Sequence, residues 1–439
     1  MTTTILRSGW QTVGPTMRRS TGGRTGPRIA FVFHPGKDLS TRRGGIEKMQ
    51  PRRFTVLQTG FRPFFLAAMV YAVLAMTLWT AQLMQLTRFD LDTIPPALWH
   101  GHEMVFGYAI AVISGFLLTA VQNWTGGRTA QGNLLLALFI LWLVSRLIAL
   151  YPSAAGVPVM LVSSVLFYLL LLWVLLKPLI QAGNHAQWGI IGKLCLFLAL
   201  DTLFLASTTG WLTPSYGRPS LLIAMYTVIG LILMMAQRVV PSFTRNAIAA
   251  KTQVQDYRYV PVVSLIGLVI FAAADVLSWQ PILLVSGLVL FIANALRLYG
   301  WYTSEILSRP LVWVLHLAVA FISIGFVLRG TAEIFHIPPE LGLHAMAYGG
   351  IGLVTIGMMA RVSLGHTGRN VFEPPKGLAL IFMTLAAGAI LRVLLPILAP
   401  EYYFLLIQLS QFLWISAFLA MLALFARPLL TARVDGRYG

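Results

Sequence analysis

Charge is scarce in this sequence. Only 10% of its 439 residues are charged, and only 14 are acidic, which excludes an ordinary soluble surface, where about a quarter of residues carry charge. Cysteine is nearly absent: the single Cys195 sits within an apolar run, so no internal disulfide can form, and the residue reads as a small hydrophobe. The signatures of soluble enzymes are missing as well. No Walker loop, dinucleotide fingerprint, cysteine-based metal motif or nucleophile elbow occurs, so chemistry of those kinds has no residues to rest on. Short alternating segments of the kind that build a membrane β-barrel are lacking. No heptad or 34-residue period is present, and the two halves of the chain do not match each other.

Apolar side chains are abundant instead: 57% of residues are hydrophobic and the mean hydropathy is +0.77. A helix needs roughly 20 apolar residues to cross ~30 Å of hydrocarbon. Runs of that length fall near 64–86, 97–123, 133–151, 157–177, 188–208 and 219–240, then near 259–276, 281–298, 310–329, 341–361, 377–398 and 402–426. The expected fold is therefore all-α, a polytopic membrane protein of about twelve transmembrane helices over residues 56–430, with a short C-terminal tail at 431–439. The weakest boundary is at Pro281, where one broken helix in place of two would change the count.

The net charge of +18 is concentrated. Residues 1–60 hold eleven of the 32 Lys and Arg and only two acids, Asp38 and Glu47. Residues 1–55 read as a basic, disordered cytoplasmic tail that touches anionic lipid; no nucleic-acid partner is expected. No apolar stretch with a cleavage site follows the basic start, so it does not read as a secretory signal. One set of loops carries Arg128, Lys177, Lys193, Arg238, Arg245, Lys251, Arg258, Arg297, Arg309, Arg361, Arg369 and Lys376, and the opposite set only Arg88, Arg218 and Arg329. The second set also holds most of the acids, among them Asp90, Asp92, Glu103, Asp275 and Glu333. The positive-inside rule places the first set, both termini included, in the cytoplasm of a bacterial inner membrane.

Ionisable residues inside spans are costly and mark sites. The densest group is Trp99-His100-Gly101-His102-Glu103-Met104 at the outer end of the second span, after Pro95-Pro96. Residues two apart on a helix point in nearly opposite directions, so one partner can engage only His100 or His102. The face continuing from His100 is built of small residues, Gly107, Ala111, Ser114 and Gly115, which favours His100. His344, at matching depth in the tenth span, supplies a second imidazole, and two imidazoles at one level can form the axial pair of a haem. Arg146 and Arg392 lie in the outer halves of their spans, suited to haem propionates. On the cytoplasmic side, His316 and His366, with Met358 and Met359 nearby, are candidate copper ligands. Asp201, mid-span, needs a partner or a proton.

These stretches resemble the NnrS family. The segments that carry the resemblance are Phe61-Arg62-Pro63-Phe64-Phe65, Trp99 to Met104 running on to Asn123-Trp124-Thr125-Gly126, Arg238 to Asn246, Trp313-Val314-Leu315-His316, and Leu343-His344 to His366-Thr367-Gly368-Arg369. The resemblance implies a haem- and copper-containing bacterial membrane protein linked to nitric oxide, denitrification and relief of nitrosative stress, with haem b and copper as cofactors, nitric oxide or a nitrosyl adduct as ligand, and a respiratory or electron-transfer partner. A weaker resemblance, to the haem-copper oxidase large subunit, rests on twelve helices and on histidines in the second and tenth. The chain departs from that pattern at copper, because its sixth and seventh spans contain no histidine. A transporter, with Asp201, Arg146 and Arg392 lining a path, and an assembly or metal-delivery partner of a respiratory complex are the competing classes.

Overall fold

The computed structural model describes residues 55–86, 94–247 and 254–438. The basic tail up to residue 54, and the loop residues Arg88, Asp90, Asp92 and Lys251, lie outside the described residues.

Long apolar runs leave the backbone no partner but itself, and in hydrocarbon that selects helices. Among the described residues the fold is all-α, with twelve long helices. In chain order they are α1 (Phe61–Leu83), α2 (Pro96–Thr125), α3 (Gly132–Ala149), α4 (Gly156–Gln181), α5 (Trp188–Thr208) and α6 (Gly217–Ala247), then α7 (Val260–Val276), α8 (Gln280–Trp301), α9 (Pro310–Thr331), α10 (Pro339–His366), α11 (Leu378–Val393) and α12 (Tyr403–Leu430). Eleven are long and apolar enough to cross a membrane. α7, with 17 residues, spans ~26 Å at the helical rise. Around Pro281 the chain forms two helices, α7 and α8, joined through Ser278 in a left-handed conformation (φ 57°). Several helices begin at a proline, whose missing N–H costs nothing in the first turn: Pro96, Pro310 and Pro339 each open one.

The helices form three arcs of four consecutive neighbours, α11-α12-α1-α2, α3-α4-α5-α6 and α7-α8-α9-α10. Each arc ends in a long helix, and these three, α2, α6 and α10, meet one another at the centre. Their apolar stretches are 89%, 72% and 72% buried, against 33% for α3 and 39% for α8. The central helices also resemble one another in sequence. Met234-Met235-Ala236-Gln237-Arg238-Val239 near the end of α6 matches Met358-Met359-Ala360-Arg361-Val362 in α10, and Thr244-Arg245-Asn246 matches Thr367-Gly368-Arg369-Asn370. The starts of α2 and α10 match too, with Ile94-Pro95-Pro96 and Ile337-Pro338-Pro339. These short matches link helices that end successive arcs of four, a relation that comparing halves misses.

α2 and α10 share one more feature. Each loosens into π-helical geometry about two turns after its start, over Glu103–Ala109 and Ala345–Gly352. Such stretches misalign the backbone ladder and concentrate at functional sites. In α2 the carbonyl of Gly107 accepts a hydrogen bond from Nε1 of Trp142 on α3 at 3.1 Å. Glycine is required there, since a Cβ would lie 2.7 Å from the Tyr71 ring.

Candidate functional site

Three predicted residues come together where α2 and α10 begin. The ring of His100 stacks on Trp79 of α1, with centroids 4.6 Å apart and planes 10° from parallel. Its Nδ1 is buried without a hydrogen-bond partner. On α10, Nδ1 of His344 lies 2.8 Å from the carbonyl of Glu340, one turn back. A carbonyl can only accept, so Nδ1 carries the proton and Nε2 keeps its lone pair, the tautomer a metal-ligating imidazole needs. Nη2 of Arg392 on α11 stands 3.2 and 3.3 Å from the two ring nitrogens. That near-equal spacing puts it over the ring face, aligned with neither lone pair. Nη1 of Arg392 is buried and unpartnered. Arg392 acts electrostatically on both imidazoles, and they act on each other, so the three share one locality.

His102 goes elsewhere. Pointing away from His100, as residues two apart on a helix must, it is fully buried, with Nδ1 2.7 Å from Oε1 of Glu103 and Nε2 2.8 Å from Oδ1 of Asp201 on α5. Both nitrogens are occupied by carboxylates, so in this arrangement His102 has no lone pair to offer a metal. Glu103 in turn receives Nη1 of Arg146 at 2.6 Å and the hydroxyl of Tyr71. Arg146, expected beside a propionate, is thus held by Glu103 within a network of α1, α2, α3 and α5. Asp201 finds its partner in His102. The pairing between residues 99 positions apart carries no local sequence signal, although two acids and one arginine buried at comparable depth invite it.

A second buried ion pair joins Arg329 of α9 to Asp275 of α7 at 2.5 Å, with the Tyr226 hydroxyl of α6 also on Asp275. At the opposite end of the bundle, Arg62 donates to the carbonyls of Pro428, Leu429 and Thr431 at 3.2, 2.8 and 2.8 Å, capping the last turn of α12 as a cation does best. The predicted copper residues are not brought into a cluster. His316 donates from Nδ1 to the Val312 carbonyl at 3.1 Å, its Nε2 buried without a partner. His366 packs against Phe61, ring centroids 5.6 Å apart, and its carbonyl accepts from Arg433. Among the described residues, no three His, Cys, Asp or Glu side chains gather as metal ligands would.

The fold and this geometry define a class: a polytopic helical membrane protein with a histidine–histidine–arginine cluster at one end of its central helices and a buried ionic network behind it. The chain belongs to the NnrS family, whose model, described as NnrS protein, matches residues 55–433. Compared with the curated proteins, the chain matches none.

Proposed function

We propose that this protein is a haem-binding membrane protein of the bacterial inner membrane, its termini cytoplasmic, that acts in the response to nitric oxide and the relief of nitrosative stress. The observation that carries this reading is the tautomer of His344: an Nδ1–H tied to a backbone carbonyl leaves Nε2 bare in the locality of His100, whose own Nδ1 is buried and unsatisfied. The imidazoles of His100 on α2 and His344 on α10 would hold haem b, and the unpartnered Nη1 of Arg392 would meet a propionate. Trp79 would hold the His100 ring in orientation. Haem, when held by both imidazoles, would supply an iron centre able to pass an electron, and one able to take nitric oxide only where one imidazole gives way; the protein's contribution is ligation, charge compensation and exclusion of water. An electron-transfer partner in the same membrane follows from the redox use of such a centre.

The residues fit copper less well. His316 offers one bare nitrogen, but His316 and His366 are not gathered with other His, Cys, Asp or Glu side chains among the described residues, and a single imidazole falls short of a copper site. The transporter reading is less well supported, because Asp201 and Arg146 are paired with His102 and Glu103.

The test is an optical and paramagnetic-resonance spectrum of purified protein with metal analysis, with and without nitric oxide. Wild-type protein should show a low-spin, bis-imidazole haem, and His344→Ala and His100→Ala should each lose that signal while remaining helical and monodisperse. Full haem absorbance retained in His344→Ala would overturn the assignment.

A further inference from the structure

Behind the ionic network, between α2, α3, α4 and α5, lies a narrow, partly open cavity with room for about one water molecule. Trp142, Ser145, Arg146, Ser164, Tyr168 and Asp201 contribute to its walls. Three polar groups at this cavity lack a partner among the described residues. The Tyr168 hydroxyl and Nε of Arg146 are both buried with no hydrogen bond. Asp201 uses only Oδ1, for His102, so Oδ2 receives no donor. The two serines are already satisfied by each other and by the Met160 carbonyl.

Leaving a donor or acceptor buried and unpaired costs about 1–3 kcal/mol, and more for a charged group. In a hydrocarbon-embedded bundle no bulk solvent relieves it. We propose that the cavity is a binding site for a single ordered water that accepts from Nε of Arg146, donates to Oδ2 of Asp201 and bonds to the Tyr168 hydroxyl. Three bonds are the usual complement of a buried water, and the inventory here matches: one N–H to give, one carboxylate oxygen to receive, one hydroxyl able to do either. The water completes the hydrogen bonding of a network that otherwise ends in unpaired groups, and it links α4, through Tyr168, to the ion pairs of α2, α3 and α5. The site is separate from the His100–His344–Arg392 locality, and the proposal stands whether or not haem binds there.

Radiolytic hydroxyl-radical labelling of the full chain in lipid nanodiscs, with rapid mixing into 18O-water, tests it. A trapped water generates radicals in place, so Phe167 should be oxidised severalfold more than Phe271 and Phe326, which are likewise buried, and Phe167, Tyr168 and Trp142 should retain 16O after mixing because the bound water exchanges slowly. In Tyr168→Phe, which keeps the ring and removes one bond to the water, labelling of Phe167 and Trp142 should fall and 18O should enter faster. Wild-type labelling at the cavity no greater than at Phe271 and Phe326 would overturn the proposal, as would labelling that Tyr168→Phe leaves unchanged in extent and exchange.

Discussion

A carboxylate inside a membrane bundle is held by whatever cation or proton meets it, and removing that partner is worse than never having had the pair. Glu103 and Arg146 are each at most 3% exposed. Arg146→Met should therefore destabilise the protein by about 3–5 kcal/mol, read as a lowered thermal midpoint in detergent, whereas adding Glu103→Gln to it should recover part of the loss, since the orphaned charge is then gone. If the double variant is no more stable than the single one, the pairing is not what holds these helices. The same logic explains what the sequence made legible at this scale. The cost of ionisable groups in hydrocarbon singled out His100, His102, His344, Asp201, Arg146 and Arg392, and helical geometry required His100 and His102 to part company, as they do. What it could not reveal was which acid meets which base, because helix contacts choose the partners across the chain.

Elements approach one another most closely where a side chain is missing. A Cβ at Gly342 would lie 2.6 Å from the backbone nitrogen of Arg329, so backbone faces backbone between α9 and α10, the kind of contact small residues permit in membranes. Gly342→Val should force the helices apart at a cost of about 1–3 kcal/mol. Gly101→Ala is the control: a Cβ there meets only the end of the Leu221 side chain, at 3.2 Å, and its thermal midpoint should stay near that of wild type. The C-terminal segment gives an element-scale prediction in pH. Arg433 forms a two-pronged contact with Asp435 at 2.9 and 2.6 Å and holds that carboxyl well below the usual carboxylate range, while Val434 donates to the Thr367 carbonyl at 3.2 Å. A depressed folded-state value means the contact is fully present above the unfolded carboxylate pKa and fades as pH falls toward the folded one. A spin label at Tyr438 should keep the same mobility from about pH 8 down to about pH 5 and loosen only below about pH 4. Asp435→Asn should loosen it at neutral pH.

At the scale of the whole molecule, apolar run length made twelve helices legible, including the separate α7 and α8, because one solvent dictates one element type. Helix ends were less legible: α6 continues to Ala247 and α10 to His366, since arginines, serines and threonines at the membrane edge look like loop yet satisfy the last turns. The arrangement in three arcs was hidden for a different reason: it lies in which helices touch, and the outer helices face lipid, where any apolar side chain serves. If the shorter α7 crosses along with the eleven longer helices, both ends of the described bundle fall on one side, the side of the loops carrying Arg128, Arg258, Arg309, Arg369 and Lys376. In the opposite loops the described cations are few, and Arg329 at that end is committed to Asp275. If basic loops stay in the cytoplasm, then in a Cys195→Ser background a cysteine at Glu401 should react with a membrane-impermeant maleimide on intact spheroplasts, and one at Tyr438 should react only after lysis. The reverse pattern would invert the bundle and put the His100–His344 site on the cytoplasmic side, whereas equal reactivity of both positions on intact spheroplasts would mean an odd number of crossings between residues 401 and 438 does not occur, contrary to the single long helix α12 that joins them.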